Sequence, residues 1–161
     1  MGKVNYNYYN VTMVSSIREM VDLALKEAAD KIVYKYKVGD EIRSMTYEAF
    51  INRMYSLGAY LTSNGEGAGR IACLGANSFN WITAYFTTLR SSGVFVPLDA
   101  QLPEKDIVHL LCDSKATVLF YDKKYEKMLR EHADELEGVN LFIGFDRDED
   151  DGKFVSFAKA L

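Results

Sequence analysis

The chain has 161 residues, of which 48% are apolar and 26% charged, and its net charge is −4. A chain of this length and composition can bury a substantial core, so we predict one globular domain over residues 1–161. Nucleic acid is excluded as the main partner, because phosphate binding needs clustered Lys and Arg and the chain has no basic cluster.

The first part of the chain predicts an extended lead, a helix and a β-hairpin. Residues 1–14 are rich in Asn and Tyr and give the lead. Ser16 and Glu19 have the S-x-x-E spacing of a capping box, which predicts a helix start. Alternating apolar and polar residues over 31–36 and 41–45 then predict two antiparallel strands, and Thr46 caps the next helix.

Apolar strands alternate with helices from Arg70 onward. The strands fall at residues 70–74, 94–98, 116–121 and 139–143, and the helices at 79–92, 104–113 and 125–136. This alternation predicts an α/β fold of three layers, in which a mainly parallel sheet has helices on both faces. We expect the α/β core to cover residues 15–145, and residues 146–161 to form a tail without a regular element.

The cysteines and the N-terminal residues indicate the cellular compartment. Cys73 and Cys112 lie far apart in apolar segments, which predicts buried free thiols in a reducing environment. The first 16 residues lack the apolar core of a signal peptide, and no run approaches the roughly 18 apolar residues of a membrane span. We therefore predict a cytoplasmic protein.

Three loops are candidates for a ligand site. In an open parallel sheet, ligands bind beyond the carboxyl ends of the strands. Residues 75–78, 97–101 and 121–124 each lie at the carboxyl end of a predicted strand, so they share one rim if the strands are neighbours. The loop at 75–78 opens a helix, whose N-terminus either holds an anion or is simply capped by Ser78.

Three other patterns resemble a phosphate, calcium or zinc site, but each is better explained by a structural role. Gly65, Gly67 and Gly69 follow a helix and precede a strand, which is the wrong context for a phosphate loop. The acidic run 146–152 lacks the glycine and the final glutamate of a calcium loop. His109, Cys112 and Asp113 share one helix face, but a zinc site needs ligands from elsewhere as well. We predict no catalytic and no metal-binding residue from side-chain chemistry alone.

Four segments between Tyr36 and Tyr125 resemble, in order and spacing, motifs of the adenylate-forming superfamily, which includes the acyl-CoA synthetases. These are SMTYEAF at 44–50, RIACL with NSFNW over 70–81, SGVFVPLD at 92–99, and LPEKDIVHLLCDSKA at 102–116. The resemblance implies part of the N-terminal domain of a ligase that joins a carboxylic acid to ATP. The acid forms acyl-AMP and pyrophosphate, and the thiol of coenzyme A then displaces AMP.

The resemblance also implies cofactors and partners. A full-length enzyme of this kind uses ATP, Mg²⁺ and coenzyme A, takes a fatty acid or another carboxylic acid, and can be peripheral to a membrane. The pattern P-L-D-x-x-L-P-E favours the long-chain fatty-acid–CoA ligase type. In some members, the loop after the V-P-L-D strand and basic residues after the next strand contact the nucleotide end of coenzyme A. Those positions are Asp99, Ala100, Gln101, Lys123 and Lys124, although solvated lysines would look the same.

The sequence departs from the superfamily in what it lacks. It has no Ser/Thr/Gly-rich phosphate loop with its lysine, no adenine motif, no acidic metal ligand and no C-terminal domain with a catalytic lysine. We therefore expect an N-terminal fragment of a longer enzyme or a degenerate relative, inactive alone and without a tightly bound cofactor. A truncated sheet exposes an unpaired edge strand, which predicts some self-association.

Two alternatives stay open. An amino-acid- or aryl-acid-activating member of the same superfamily would share these motifs, because they do not set acyl specificity. A self-standing α/β binding module without catalysis would also fit the pattern of strands and helices.

Overall fold

The computed structural model describes residues 12–161, and these form five α-helices and seven β-strands. The helices are α1 (Ile17–Ala28), α2 (Tyr47–Ser63), α3 (Phe79–Arg90), α4 (Glu104–Ser114) and α5 (Glu126–Glu131). The strands are β1 (Ile32–Val38), β2 (Glu41–Thr46), β3 (Arg70–Leu74), β4 (Val94–Leu98), β5 (Val118–Tyr121), β6 (Leu141–Gly144) and β7 (Phe154–Ser156). Of the predicted lead, residues 1–11 lie outside the described residues and 12–14 have no regular structure.

Three helices begin at the residues that the sequence predicted as caps. The side chains of Ser16, Thr46 and Ser78 each accept a hydrogen bond from the backbone N–H three positions later. A cap of this kind satisfies a backbone donor that the first helical turn leaves without a partner. The expected helix starts are therefore confirmed for α1, α2 and α3.

The main sheet has five strands in the order β4-β3-β5-β6-β7, and every neighbouring pair is parallel. The predicted hairpin forms a separate antiparallel sheet of β1 and β2, with Gly39 at a φ of 60° in its turn. The prediction of an α/β fold with a parallel sheet and an N-terminal hairpin is confirmed.

Alternate residues of each strand face opposite sides of the sheet, and helices cover both sides. On one side α2 and α3 pack on Ile71, Val118 and Phe120. On the other side α4 and α5 pack on Leu74 and Leu119. The period of two along a strand explains this division. Because both faces are buried, the strands read as continuous apolar runs in the sequence.

The expectation that no regular element follows Asp146 is wrong. Strand β7 pairs in parallel with β6, and Phe154, Val155 and Phe157 are buried in the two sheet cores or against them. A three-residue strand is too short to give a readable alternation. The acidic run 146–152 directly before it also gave no indication that an apolar strand follows.

Two smaller predictions are also corrected. The helix expected over 125–136 is shorter, because α5 ends at Glu131 and turns follow it. Cys73 is buried as expected, but Cys112 is exposed. Cys112 follows the buried Val108 by one helical turn, at the border of the buried face of α4, and its thiol donates a hydrogen bond of 3.3 Å to the carbonyl oxygen of Glu135.

Pro97 modifies the edge of the sheet formed by β4. The N–H of Val94 bonds to the carbonyl of Gly69 beside β3, and successive N–H groups along a strand alternate in direction. An N–H at position 97 would therefore point away from β3, so the proline there removes a donor from the open edge of the sheet. Natural sheets use proline in this way to discourage pairing with another chain. Self-association through a sheet edge stays a prediction.

Replacing Pro97 with valine is expected to increase self-association, because it restores the missing donor and favours strand geometry. Sedimentation velocity over a concentration series checks this. The matched control is Pro103→Val, which changes the other proline of the chain outside the sheet. Equal self-association of the two variants would show that the β4 edge is not the contact.

Candidate functional site at the carboxyl ends of the strands

The three candidate loops meet at one edge of the sheet. Strand β3 lies between β4 and β5, so the loops after these strands are neighbours, as the rim hypothesis required. We call the set formed by residues 75–78, 99–101 and 122–126 the carboxyl rim. It is the position at which open parallel sheets usually bind ligands.

The loop after β3 is held by Asp122, which sequence reasoning did not single out. The Asp122 carboxylate accepts a hydrogen bond of 2.8 Å from the backbone N–H of Ala76. A Cβ at position 75 would lie 2.7 Å from an oxygen of that carboxylate, so the close approach requires Gly75. The N-terminal end of α3 is capped by Ser78. The capping interpretation of residues 75–78 therefore fits this loop. The N–H of Ala76 already has a protein acceptor in Asp122.

The loop after β4 is a tight turn. The side chain of Asp99 accepts a hydrogen bond of 2.9 Å from the N–H of Gln101, which is an Asx turn. The side chains of Asp99 and Gln101 are exposed, and Ala100 is partly buried. A strand that ends on a rigid turn can present its backbone to a ligand without further ordering.

Tyr125 connects two of the loops. Its hydroxyl donates a hydrogen bond of 3.0 Å to the carbonyl oxygen of Ala100, across the end of the sheet. Lys123 and Lys124 lie in the 3₁₀ turn that precedes Glu126, and both are exposed. The amino group of Lys124 lies 4.8 Å from the centre of the Tyr125 ring. All five residues that the resemblance pointed to therefore belong to one edge of the molecule.

A charged network borders the rim at Glu126. Its carboxylate accepts hydrogen bonds from the hydroxyl of Tyr121 at 3.1 Å and from the guanidinium of Arg130 at 3.0 Å. Arg147, from the loop after β6, donates to the same carboxylate. Arg130 also pairs with Asp151 at 2.9 Å. This network joins α5 to the segment that carries β7.

The network shifts the acidity of its members. Burial would raise the pKa of Glu126, but hydrogen bonds from Arg147 and Arg130 outweigh it and hold that pKa below its usual range. Burial raises the pKa of the Tyr121 phenol, and the neighbouring Glu126 raises it further. Both shifts favour a charged Glu126 that accepts a hydrogen bond from a neutral Tyr121.

An open pocket of about 610 Å³ lies beside this network. Its basic lining residues are Lys123, Lys127, Arg130 and Arg147, and its acidic ones are Glu126, Asp148 and Glu149. Sequence reasoning found only Lys123 among these. The helix that carries Glu126, Lys127 and Arg130 was predicted, but its contact with the segment around Arg147 depends on β7, which the sequence did not predict.

Other chemical candidates do not form a site. Within residues 12–161, no three His, Cys, Asp or Glu side chains are arranged to hold a metal ion. In the acidic run, Asp150 accepts a hydrogen bond of 2.8 Å from the N–H of Ser156, which lowers the pKa of Asp150. The same described part of the chain contains no helix both long and apolar enough to cross a bilayer.

The chemistry of the rim residues can be compared with that of a ligand. Exposed lysines, a phenol and turn backbone converge there on a rigid edge of the sheet, a combination that suits phosphate groups and a nucleotide. Reactive pairs such as a nucleophile beside a base are not among the contacts of the described rim residues.

The chain is similar to several known enzymes. The AMP-binding enzyme family matches residues 21–159. A long-chain-fatty-acid–CoA ligase of Thermus thermophilus is 26% identical over 160 residues, covering 96% of this chain and 29% of the ligase. A 3-hydroxybenzoate–CoA/4-hydroxybenzoate–CoA ligase of Thauera aromatica is 31% identical over 96 residues, covering 59% of this chain and 18% of that protein.

A solved structure supports the fold. Coronafacic acid ligase of Pectobacterium brasiliense matches with a TM-score of 0.80 and 15% identity, over 91% of this chain and 29% of that chain. The chain thus spans less than a third of the length of each of these relatives. The resemblance to adenylate-forming enzymes is confirmed, and because the family match extends over most of its length, the chain belongs to the AMP-binding enzyme family.

Proposed function

We propose that the chain is the N-terminal part of an ATP-dependent, AMP-forming ligase that joins a fatty acid to coenzyme A. The observation that carries the proposal is the family match over residues 21–159. The similarity of nearly the whole chain to the Thermus thermophilus fatty-acid ligase supports the substrate class. ATP, Mg²⁺ and the acid are held by the whole enzyme.

The part of this chemistry that we assign to the chain is the binding of coenzyme A. Lys123 and Lys124 supply positive charge for phosphates at the carboxyl rim. The backbone of Ala100 and Gln101 forms the facing wall, and the bond from Tyr125 to Ala100 fixes the distance between the two. The bound coenzyme A supplies the thiol that receives the acyl group. The chain's own contribution is to orient the nucleotide end, which is catalysis by positioning.

Titration with adenosine 3′,5′-bisphosphate, the nucleotide part of coenzyme A, tests this assignment. Calorimetry is expected to give saturable binding, and Lys123→Glu and Lys124→Glu should each weaken it about tenfold, the equivalent of one charge-assisted hydrogen bond. The matched control is Lys35→Glu, which makes the same charge change on the exposed β1. Unchanged affinity in both rim variants would remove Lys123 and Lys124 from the site.

The reaction and its substrate need a separate test. The protein encoded by the whole reading frame should catalyse ATP–pyrophosphate exchange that depends on a fatty acid such as hexadecanoate. The 161-residue chain alone should not. Exchange by the chain alone would contradict the proposal, and a complete protein without exchange would favour a non-catalytic binding module.

An aryl-acid-activating enzyme is the second candidate, because the Thauera aromatica hydroxybenzoate ligase has the higher identity over its shorter match. The same exchange assay with 4-hydroxybenzoate separates the two. Faster exchange with the aryl acid than with hexadecanoate would replace the fatty-acid proposal and leave the family assignment intact.

A further inference from the structure

A second cavity lies away from the carboxyl rim, in the N-terminal part of the fold. It has a volume of about 210 Å³, is partly open to solvent, and is lined by residues of α1, β1, α2 and α3. Phe50 and Ile51 form its floor, in the third core cluster of the molecule, which is separate from the two sheet cores. The proposed ligase function makes no use of this cavity.

The lining of the cavity is apolar and aromatic. Phe50 packs edge to face against Tyr34, with ring centres 5.1 Å apart, and against Phe86 at 5.9 Å. These contacts fix the rings, so the cavity has preformed walls. Two of the lining residues, Tyr34 and Tyr47, carry phenol groups.

The chemistry of the lining selects against charged ligands. Among the described residues, no acidic or basic side chain lines the cavity. A carboxylate would lose its hydration there without gaining a cation, which is strongly unfavourable. Burial raises the pKa of the Tyr34 phenol, so this group is a neutral hydrogen-bond donor at neutral pH.

The size of the cavity suits one ring. An apolar protein cavity of about 150 Å³ stays dry and binds benzene, and preformed apolar pockets of drug-like sites are larger, at about 300 Å³ or more. A volume of 210 Å³ lies between these values and leaves room for one ring with a small substituent. We propose that the cavity between α1, β1, α2 and α3 binds a neutral, single-ring aromatic molecule. This ligand is distinct from the acid substrate, because the cavity has no cation for a carboxylate.

Nuclear magnetic resonance titration of the ¹⁵N-labelled chain tests the proposal, with p-cresol, toluene and benzoate as probes. p-Cresol and toluene should give saturable shifts in amide signals of α1, β1, α2 and α3. Benzoate has the same ring but carries a charge, so it should give none there. The carboxyl rim should be unaffected by all three probes, which keeps this test independent of the proposed ligase function.

Ala24 offers a way to fill the cavity, because it lines the wall formed by α1. Ala24→Leu should abolish the shifts with p-cresol, and leucine is nearly as good a helix former as alanine. The matched control is Ala28→Leu, one turn further along α1 and outside the lining, which should bind as the unchanged chain does. Should Ala24→Leu fail to fold, Val33→Ile adds one methyl group from the opposite wall and should weaken binding.

Three results would overturn the proposal. The first is the absence of saturable shifts with either neutral probe. The second is unchanged binding by a folded Ala24→Leu or, where that variant is unfolded, by Val33→Ile. The third is binding of benzoate as tight as that of p-cresol, because a cavity without a cation cannot favour the carboxylate.

Discussion

Replacing Phe157 with alanine is expected to lower the free energy of unfolding by about 3–5 kcal/mol. Phe157 is 1% exposed, and its ring packs edge to face against Phe145 at 5.2 Å and Phe120 at 5.9 Å. The substitution leaves a cavity between the sheet and the last residues of the chain. Since domains are stable by only about 5–15 kcal/mol in total, this loss removes a large fraction of the stability.

Urea unfolding followed by circular dichroism measures this effect. Lys159→Ala is the matched control from the same segment, because Lys159 is exposed and its ion pair with Asp150 is also exposed. Surface substitutions of this kind change stability by about 0.5 kcal/mol or less. Similar stabilities of the two variants would mean that the segment around Phe157 does not contribute to the core in solution.

Replacing Glu126 with glutamine is expected to lower stability at neutral pH by about 1–3 kcal/mol, because hydrogen bonds to a charged acceptor are lost. The carboxylate is 19% exposed and serves the largely buried Arg147, which is 13% exposed. Glutamine has the same shape and still accepts a hydrogen bond, but it leaves the guanidinium groups of Arg147 and Arg130 without their counter-charge.

The effect of Glu126→Gln should depend on pH. The pKa of Glu126 is lower in the folded chain than the usual glutamate value of about 4.3 in the unfolded chain. Its contribution is therefore complete above that unfolded value and is lost as the pH falls through the folded value. The stability difference between the unchanged chain and Glu126→Gln should be largest at neutral pH and should shrink below about pH 4.

Urea titrations at several pH values follow this difference. The matched control is Glu131→Gln, in the same helix, where the carboxylate is 57% exposed and pairs with the exposed Lys127. Exposed pairs of this kind contribute about 0–1 kcal/mol. A constant difference for Glu126→Gln down to low pH would show that the effect comes from packing instead of charge.

The sheet could be predicted because its signals are local. The strands from Arg70 to Gly144 are apolar runs separated by helices, and Ser78 marks the start of one of these helices in the sequence itself. The parallel direction follows from the helices between the strands. Strand β7 breaks this rule, because it joins β6 without an intervening helix, so no local pattern announces it.

The sequence predicted where the candidate site lies but not the contacts within it. The carboxyl ends of the strands identify the rim, but the contacts within it depend on which strands are neighbours. Asp122 meets Ala76 only because β3 and β5 are adjacent, and Tyr125 reaches Ala100 across the end of β3. These pairs are 46 and 25 residues apart in sequence, and helical or strand periodicity carries no information at such distances. The contribution of the rim residues to coenzyme A binding stays a prediction.

Asp122 competes with anions from solution for the N–H of Ala76 in the loop after β3, and it is covalently part of the same chain. An anion from solution reaches the N–H of Ala76 only by displacing a carboxylate tethered to the neighbouring strand, whose effective concentration is about millimolar or higher. Weakly binding anions at lower concentrations are thereby excluded from the N–H of Ala76. Lys123 and Lys124 lie exposed in the turn directly after Asp122, so their positive charges lie beside the loop that Asp122 closes.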